Sequence, residues 1–481
     1  MAMLQFPKIG QTYPDKRTAE ERAQDFGEIA RAYQVTKAEE QSSRCSQCGV
    51  PYCSTHCPLH NHIPDWLRLT AEGRLREAYE LSNATSTMPE ICGRICPQDR
   101  LCEGNCVIEF SGHGAVTIGS VEKFITDTAW EEGWVEPLVP GPARGQSIGI
   151  IGAGPAGLTV ADLMRARGYE VHVYDRHDRA GGLLTYGIPG FKLEKPIVMR
   201  RVERLAAGGV IFHPNFEVGR DASLPELRAR HDGIVIATGV YKPRAIKASG
   251  VGAKGVVEAL DYLTASNRKG FGDSVPDFDE GRLNAEGKNV VVVGGGDTAM
   301  DCVRTAIRQG AASVRCLYRR DRANMPGSQR EVKNAEEEGV EFVWLAAPES
   351  FHDEGGAVSG VKVSKMRLGQ PDASGRRAPE VDPGAEYRVD ADLVIKALGF
   401  DPEELPHLFG AQELAVTRWG TIRIDHKTMM TSLDGVFAAG DIVRGASLVV
   451  WAVRDGRDLA DRMHAWLKAK APAATAALVS A

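Results

Sequence analysis

The distribution of cysteine constrains this chain most strongly. The sequence has 481 residues and 10 cysteines, and every cysteine except Cys302 and Cys316 lies between Cys45 and Cys106. One short segment is therefore rich in thiols, whereas the rest of the chain is almost free of them. At about 150 residues per domain, the length suggests roughly three domains.

Charge and hydropathy limit the setting in which these thiols act. The formal net charge is −6, which argues against a nucleic-acid partner. Residues Met1 to Gly10 show no basic segment followed by an apolar one, so no secretory signal is expected. Apolar runs such as Val290–Val293 have the length of a strand, whereas a membrane helix needs about 20 apolar residues. We therefore expect a cytoplasmic protein with no membrane segment, where clustered thiols more often bind metal or act in catalysis than form disulfides.

The spacing of the cysteines favours two iron–sulfur clusters. The pattern is Cys45-x2-Cys48-x4-Cys53-x3-Cys57-Pro, then Cys92-x3-Cys96-Pro, then Cys102-x3-Cys106. Thiolates hold [4Fe–4S] clusters in fours, and in two-cluster ferredoxins the cysteine before proline ligates the other cluster. On this logic, the first set of ligands is Cys45, Cys48, Cys53 and Cys106, and the second set contains Cys57, Cys96 and Cys102.

The fourth ligand of the second cluster is predicted to be Glu122, with Cys92 as the alternative. Glu122 follows Ile118 by one helical turn, at the edge of an apolar stripe. A carboxylate that faces a core is costly unless it is paired or bound to metal. Two other interpretations stay open: Glu122 as a rim carboxylate paired with a basic side chain, and a pair of structural zinc sites in place of the clusters.

The segment before the first cysteine is expected to be helical. Thr18 and Glu21 form a capping-box pattern, and Phe26, Ile29 and Tyr33 recur at helical spacing. A second amphipathic helix is expected near Val450–Leu467, close to the C-terminus.

After a Pro- and Gly-rich linker, Glu136–Gly145, the chain repeats one plan. Ile148–Ile151 leads into a glycine turn at Gly152, Gly154 and Gly157, and Val290–Val293 leads into a second one at Gly294, Gly296, Asp297 and Ala299. Such turns let the backbone approach a pyrophosphate at a helix N-terminus. The predicted fold class is α/β: an N-terminal helical iron–sulfur domain followed by two Rossmann-like dinucleotide-binding domains.

The residues after the second strand of each unit predict different nucleotides. Asp175 ends that strand in the first unit, and a carboxylate there accepts hydrogen bonds from a ribose 2′-hydroxyl, which indicates FAD or NAD. In the second unit the matched position holds Arg319 and Arg320, whose guanidinium groups suit a 2′-phosphate and therefore NADP. A solvated surface pair of arginines is the alternative interpretation.

Taken together, these motifs resemble the glutamate synthase small (beta) subunit family. The cysteine module is also similar to the N-terminal part of dihydropyrimidine dehydrogenase and to the large subunits of NADH-dependent ferredoxin:NADP oxidoreductases. The likeness covers nearly the whole chain and is carried by Cys45–Cys57, Ile91–Cys106, Ile151–Leu158, Gly181–Lys195, Val292–Cys302, Tyr318–Ser328 and Ala438–Asp441.

The resemblance implies further assignments. In the relatives one cluster has a Gln or Glu ligand on the helix after the last cysteine, and Glu122 matches that position. FAD would bind the first unit, with Gly182 and Asp441 among its contacts. The flavin domain would be discontinuous, which gives the domains 1–145 for two [4Fe–4S] clusters, 146–285 for FAD, 286–400 for NADP, and 401–481 for the second part of the FAD domain.

The resemblance also implies a reaction. NADPH would give a hydride to FAD, and single electrons would leave through the clusters to a large (alpha) subunit that forms glutamate from glutamine and 2-oxoglutarate. No acid–base catalytic residue is expected, because the cofactors carry the chemistry. The alternatives are a ferredoxin-type or pyrimidine-reducing oxidoreductase of the same build, and a zinc scaffold with nucleotide-sensing folds.

Overall fold

The N-terminal region is built from short helices. A computed structural model describes residues 1–371 and 377–470. The first helices in chain order are α1 (Ala19–Arg22), α2 (Val35–Ser43), α3 (Tyr52–His56), α4 (Ile63–Ala71), α5 (Leu75–Asn83), α6 (Pro89–Ile95), α7 (Val107–Phe110) and α8 (Ile118–Glu131). A 3₁₀ turn, Gln98–Arg100, lies between α6 and α7.

The capping box at Thr18 is confirmed, but the helix that it starts is short. The Thr18 hydroxyl accepts from the Glu21 amide at 3.2 Å, and the Glu21 carboxylate accepts from the Thr18 amide at 2.8 Å. The prediction of helix over 26–33 is wrong, because α1 ends at Arg22. The Asp25 carboxylate accepts from the Gly27 amide at 2.8 Å, and this local turn competes with helical hydrogen bonding.

The two glycine-turn units form the middle of the chain. The first contributes β1 (Ser147–Ile151), α9 (Pro155–Ala166), β2 (Glu170–Tyr174), α10 (Leu183–Tyr186), α11 (Lys195–Ala207), β3 (Ile211–His213), α12 (Leu224–Arg230), β4 (Gly233–Ile236) and β5 (Lys242–Pro243). The second contributes β6 (Val256–Glu258), α13 (Ala259–Gly270), α14 (Pro276–Asp279), β7 (Asn289–Val293), α15 (Asp297–Arg308), β8 (Ser313–Tyr318), α16 (Gln329–Glu337) and β9 (Glu341–Trp344).

The remaining elements complete both units. They are β10 (Ala346–Glu354), β11 (Ala357–Pro371), β12 (Arg377–Asp390), β13 (Leu393–Lys396), β14 (Phe400–Asp401), α17 (Leu405–Leu408), β15 (Val436–Ala438), α18 (Asp441–Arg444) and α19 (Val449–Lys470). The strands form two five-stranded parallel sheets, in the orders β15-β4-β1-β2-β3 and β6-β13-β7-β8-β9. The α/β fold class predicted from the sequence is confirmed.

The strand order shows where the chain passes between the sheets. The strand β15 pairs with β4, so the first sheet is built from two separated stretches of chain. The strands β5 and β14, one on each crossing, pair with each other. The strand β6 belongs to the second sheet although it lies within 146–285, so that predicted boundary falls too late. Its three partly buried residues carry no periodic pattern that a sequence could reveal.

The helix α9, which follows the first glycine turn, packs against α19. Gly456 of α19 lies so close that a Cβ added there would come within 2.6 Å of the Ala156 carbonyl oxygen of α9. The described helices include none that is both long and apolar enough to cross a lipid bilayer.

A buried carboxylate joins three parts of the molecule. Glu338 follows α16, and its side chain accepts from Arg304 at 2.9 Å and from Arg308 at 2.7 Å, both on α15. Arg22 of the N-terminal region donates to the same carboxylate at 3.1 Å. Phe191, which follows the first unit's α10, lies 4.5 Å from the Arg304 guanidinium and 4.0 Å from that of Arg308. We call these five side chains the Glu338 junction.

We expect Glu338→Gln to lower the melting temperature strongly at pH 7. The Arg308 guanidinium would lose the one carboxylate that it pairs with in the described residues, and Arg22 and Arg304 would each keep only Glu337 and Glu331 respectively. Breaking a buried ion pair in this way typically costs about 3 kcal/mol or more. Hydrogen bonds from Arg308 and Arg304 hold the pKa of Glu338 down to about 2, below the 4.5 of a free glutamate. Its contribution is therefore complete above pH 4.5 and is lost as the pH falls toward 2.

Thermal melts from pH 4 to 8 test this. The difference in melting temperature between wild type and Glu338→Gln should be constant above pH 5 and should become smaller below pH 4.5. Glu336→Gln is the matched control, because Glu336 forms an exposed pair with Arg322 and should change stability by only about 1 kcal/mol or less. A Glu338→Gln protein as stable as the control contradicts the prediction.

Candidate cofactor and metal sites

The first glycine turn is shaped by close backbone contacts. Gly152 has φ +106°, and a Cβ there would lie 2.4 Å from the Ala237 carbonyl oxygen. At Gly157 an added Cβ would come within 2.0 Å of the Gly152 carbonyl oxygen. Gly154, at the N-terminus of α9, is different: a Cβ there would meet no heavy atom within 4 Å. The turn therefore presents an open backbone at a helix N-terminus, which is the geometry that binds pyrophosphate.

Asp175 and Gly182 lie against this turn. One Asp175 oxygen accepts from the Ala153 amide at 2.7 Å, and the other accepts from the His177 amide at 2.8 Å. Gly182 has φ +55°, and a Cβ there would lie 3.0 Å from the Gly154 Cα. The structure therefore brings both predicted residues to the first turn, where Asp175 also orders the backbone.

Asp441 is the remaining residue predicted for the first site. It begins α18, directly after Gly440, whose Cβ position lies 3.0 Å from the Ala156 Cβ of α9. Burial raises the pKa of Asp441 to about 7. At neutral pH this carboxyl group can thus both donate and accept a hydrogen bond.

Tyr241 is a residue of this site that the sequence analysis missed. Its hydroxyl oxygen lies 3.6 Å from the Cβ position of Gly182, and the Arg176 guanidinium lies 4.7 Å above its ring. Burial raises the pKa of its phenol, and the charge of Asp175 contributes in the same direction. Its position shortly after β4 was an available signal, because ligands of parallel sheets bind at the carboxyl ends of the strands.

The second glycine turn repeats the first. Gly294 has φ +153°, and a Cβ there would lie 2.3 Å from the Ala397 carbonyl oxygen. Gly296, at the N-terminus of α15, again has no heavy atom within 4 Å of its Cβ position. Ala299 takes the third position and is fully buried. The Asp297 carboxylate accepts from the Ser328 amide at 3.0 Å and so ties the turn to the loop after β8.

Arg319 and Arg320 follow β8, beside the second turn. Arg319 is exposed, and Arg320 is half-buried with an Nε atom that has no hydrogen-bond partner in the described residues. The neighbouring arginines, by contrast, form ion pairs: Arg315 pairs with Glu341 at 2.7 Å, and Arg322 pairs with Glu336 at 2.7 Å. Two guanidinium groups are thus available to an anion at the end of this strand.

The thiols of the first set surround a common cavity. Its lining includes Cys45, Cys48, Cys53 and Cys106. Burial raises the pKa of Cys45 to about 11 and that of Cys53 to about 12, so both thiols are protonated when no metal is bound. Over the residues that the structure describes, no group of three or more His, Cys, Asp and Glu side chains converges on a position for a single metal ion.

The members of the second set come from the end of α3, from α8 and from the segment from Cys96 to Cys102. Burial raises the pKa of Cys57 to about 11, and the charge of Glu122 raises it further. A hydrogen bond with Cys92 and then burial raise the pKa of Cys96, while burial raises that of Cys102. Glu122 also acts on both of these thiols. The structure therefore brings both Glu122 and its rival Cys92 to this set.

Glu122 itself is a buried carboxyl group. It is 9% exposed, accepts from the Ser82 hydroxyl at 3.3 Å, and forms no ion pair within residues 1–371 and 377–470. Burial raises its pKa to about 8. The alternative of a rim carboxylate paired with a basic side chain does not agree with this arrangement.

Alanine substitutions at Gly154 and Gly296 should each impair one of the two sites and leave the other unchanged. Gly154 and Gly296 both have ordinary extended backbone angles and room for a methyl group, so neither variant should change the melting temperature of the apoprotein. We expect Gly154→Ala to weaken flavin binding and Gly296→Ala to weaken NADPH binding by about tenfold or more, because the methyl group occupies the approach to the phosphates.

Flavin content and NADPH titration measure these effects. Gly157→Ala is the contrasting variant, because its Cβ would collide with backbone and destabilise the fold itself. Normal flavin binding by Gly154→Ala would contradict the assignment of the first site.

Two family models match the chain. Residues 22–134 match the model described as dihydropyrimidine dehydrogenase domain II, 4Fe-4S cluster. Residues 146–456 match the pyridine nucleotide-disulphide oxidoreductase model. Among solved structures, FprA from Mycobacterium tuberculosis in complex with NADPH superposes with a TM-score of 0.56 at 18% identity, over 67% of this chain and 85% of that one. This likeness concerns the fold.

Relatives of known name match over almost the full length. The chain is 67% identical to the glutamate synthase [NADPH] small chain of Azospirillum brasilense, over 98% of both chains. It is 46% identical to the small chain of the same name in Escherichia coli strain K12, over 97% of this chain and 99% of the relative. The protein is therefore an oxidoreductase that belongs to the glutamate synthase [NADPH] small-chain family.

Proposed function

We propose that this chain is the electron-transfer subunit of a cytoplasmic, NADPH-dependent glutamate synthase. It would take electrons from NADPH and deliver them to a large subunit that forms glutamate from glutamine and 2-oxoglutarate. The observation that carries the proposal is the combination, on one chain, of two open glycine turns with opposite charges beside them and two sets of thiol and carboxyl side chains of the kinds that bind metal. When bound, FAD accepts a hydride and releases single electrons, which iron–sulfur clusters can carry.

The first turn is proposed to hold FAD. The N-terminus of α9 would face the pyrophosphate across Gly154, and Asp175 would accept from a ribose hydroxyl with lone pairs not used by the backbone. Asp441 would contact the ribityl–phosphate region, and Gly182 allows close approach beside the turn.

The second turn is proposed to hold NADPH. Gly294, Gly296, Asp297 and Ala299 shape the turn, and Arg319 and Arg320 would pair with the 2′-phosphate. A phosphate there would satisfy the Arg320 Nε, which has no partner within the described chain.

Two [4Fe–4S] clusters are proposed for the thiol sets. The chemistry of the donors suits them, because four thiols line one cavity and three more meet a buried carboxyl group. Cys57 packs against both the hydrophobic core of the first nucleotide-binding unit and that of the N-terminal region, Cys96 packs against the former, and Cys102 lies in the latter. The second set therefore lies where these two cores meet.

Alanine at Arg319 and Arg320 should remove the preference for NADPH. We expect the ratio of kcat/KM for NADPH over NADH to fall by about a hundredfold in the double variant, mainly through KM, because charge-assisted contacts to the 2′-phosphate are lost. Arg322→Ala is the control, since Arg322 is already paired with Glu336. An unchanged ratio in the double variant would refute the NADP assignment.

The choice between Glu122 and Cys92 as cluster ligand can be decided by iron content and electron paramagnetic resonance of the reduced protein. We expect Glu122→Ala to change the spectrum of one cluster or to lose about four iron atoms, and Cys92→Ala to keep both clusters. The reverse pattern would make Cys92 the ligand.

The function itself is tested by anaerobic NADPH oxidation with and without the large subunit. We expect oxidation that depends on glutamine and 2-oxoglutarate only when both subunits are present. Equal electron delivery to a ferredoxin-type acceptor, with no stimulation by the large subunit, would instead favour the alternative oxidoreductase of the same build.

A further inference from the structure

One face of α15 is charged, although it is buried. The helix begins at the second glycine turn, and Asp301, Arg304 and Arg308 follow at spacings of three and four residues, which places them on one face. The side chains of Arg304 and Arg308 are 0% exposed. This face is thus turned toward the other parts of the molecule and not toward solvent.

The first nucleotide-binding unit contacts this face through two consecutive residues. Lys192 donates to Asp301 at 2.9 Å and lies 3.7 Å from Glu331 of α16. Phe191 places its ring over the Arg304 and Arg308 guanidinium groups. Charge pairing and cation–π contact therefore both link the first nucleotide-binding unit to α15, the helix that begins at the proposed NADPH site.

The N-terminal region contacts the same group of charged side chains. Arg22 has a side chain only 4% exposed and donates to Glu338 at 3.1 Å and to Glu337 at 3.1 Å. Glu338, whose side chain is 0% exposed, also pairs with Arg304 and Arg308, and it therefore connects Arg22 to α15. The Glu338 junction thus contains at least one side chain from each of the three regions.

We propose that the Glu338 junction locks the second glycine-turn unit, which would bind NADPH, in one orientation and that Arg22 is a positioning residue for hydride transfer. The proposal rests on the function proposed above. A rotation of this unit would draw Arg22 away from Glu337 and Glu338 and would draw Lys192 away from Asp301. These largely buried cations would then lack partners, which is strongly unfavourable. The unit therefore presents its cofactor without first rotating as a rigid body.

Arg22 couples the iron–sulfur region to the unit that would bind NADPH. Its hydrogen bonds to that unit go to Glu337 and Glu338, so its effect would pass through α16 and, by way of Glu338, through α15. Errors of about 1 Å in the alignment of reacting atoms can slow a reaction about a hundredfold. A loosened junction should therefore slow hydride transfer more than it weakens NADPH binding.

Stopped-flow reduction of the bound flavin by NADPH, in the full chain with all cofactors loaded, tests the proposal. We expect Arg22→Gln to lower the limiting rate at saturating NADPH by about tenfold or more while changing the Kd for NADPH by less than about threefold. Arg22→Lys should restore much of the rate. Arg17→Gln is the matched control, because Arg17 pairs with Asp25 within its own region and should leave the rate unchanged.

Hydrogen exchange in the absence of NADPH gives an independent measurement. Arg22→Gln should increase exchange in α15 and in the segment around Phe191, whereas Arg17→Gln should not. A wild-type limiting rate in Arg22→Gln, or a loss that appears entirely in the Kd, would overturn the proposal. If wild-type flavin is not reduced by NADPH at all, the proposed function fails, and unchanged exchange in Arg22→Gln would then overturn the lock separately.

Discussion

The three regions of the molecule meet around the buried carboxylate of Glu338. This carboxylate is buried and has three arginine partners, Arg22, Arg304 and Arg308, which come from two different regions of the chain. Arg308 pairs with no other carboxylate among the described residues, so the loss of Glu338 would leave its buried charge uncompensated. Around this point the iron–sulfur region and the two nucleotide-binding units take fixed relative positions, and the distances between their cofactors depend on those positions.

The two nucleotide-binding units share one local plan. Gly154 and Gly296 leave the same open approach to a helix N-terminus. The difference lies at the end of the next strand, where Asp175 carries a negative charge and Arg319 and Arg320 carry positive ones. A change of charge at one position thus suits one site to a ribose hydroxyl and the other to a phosphate.

Local patterns were sufficient to predict much of this structure. A strand followed by a glycine turn indicates each parallel sheet. Gly152 and Gly294 lie so close to neighbouring backbone that no Cβ fits there, and this requirement shows in the sequence as a short glycine motif. The apolar stripe around Glu122 likewise indicated a buried carboxyl group, which the structure contains. The spacing of the cysteines placed Cys45, Cys48, Cys53 and Cys106 in one set, and these four thiols line one cavity.

Other features depend on contacts between distant parts of the chain. The Glu338 junction joins residues more than 300 positions apart, and no local spacing reveals it. The antiparallel sheet of β10, β11 and β12 was not predicted, because its strands alternate irregularly between buried and exposed residues. Tyr241 lies in no motif; its place shortly after β4 is a weak signal, and its position over Gly182 shows that it belongs to the site.

We propose that this chain carries one flavin and two iron–sulfur clusters. This is tested most directly by measuring iron, acid-labile sulfide, zinc and flavin in the anaerobically purified full chain, together with its absorption spectrum. We predict about eight iron and eight sulfide per flavin, with flavin bands and a broad shoulder near about 400 nm. Stoichiometric zinc without iron would contradict the claim and would support structural zinc sites in its place.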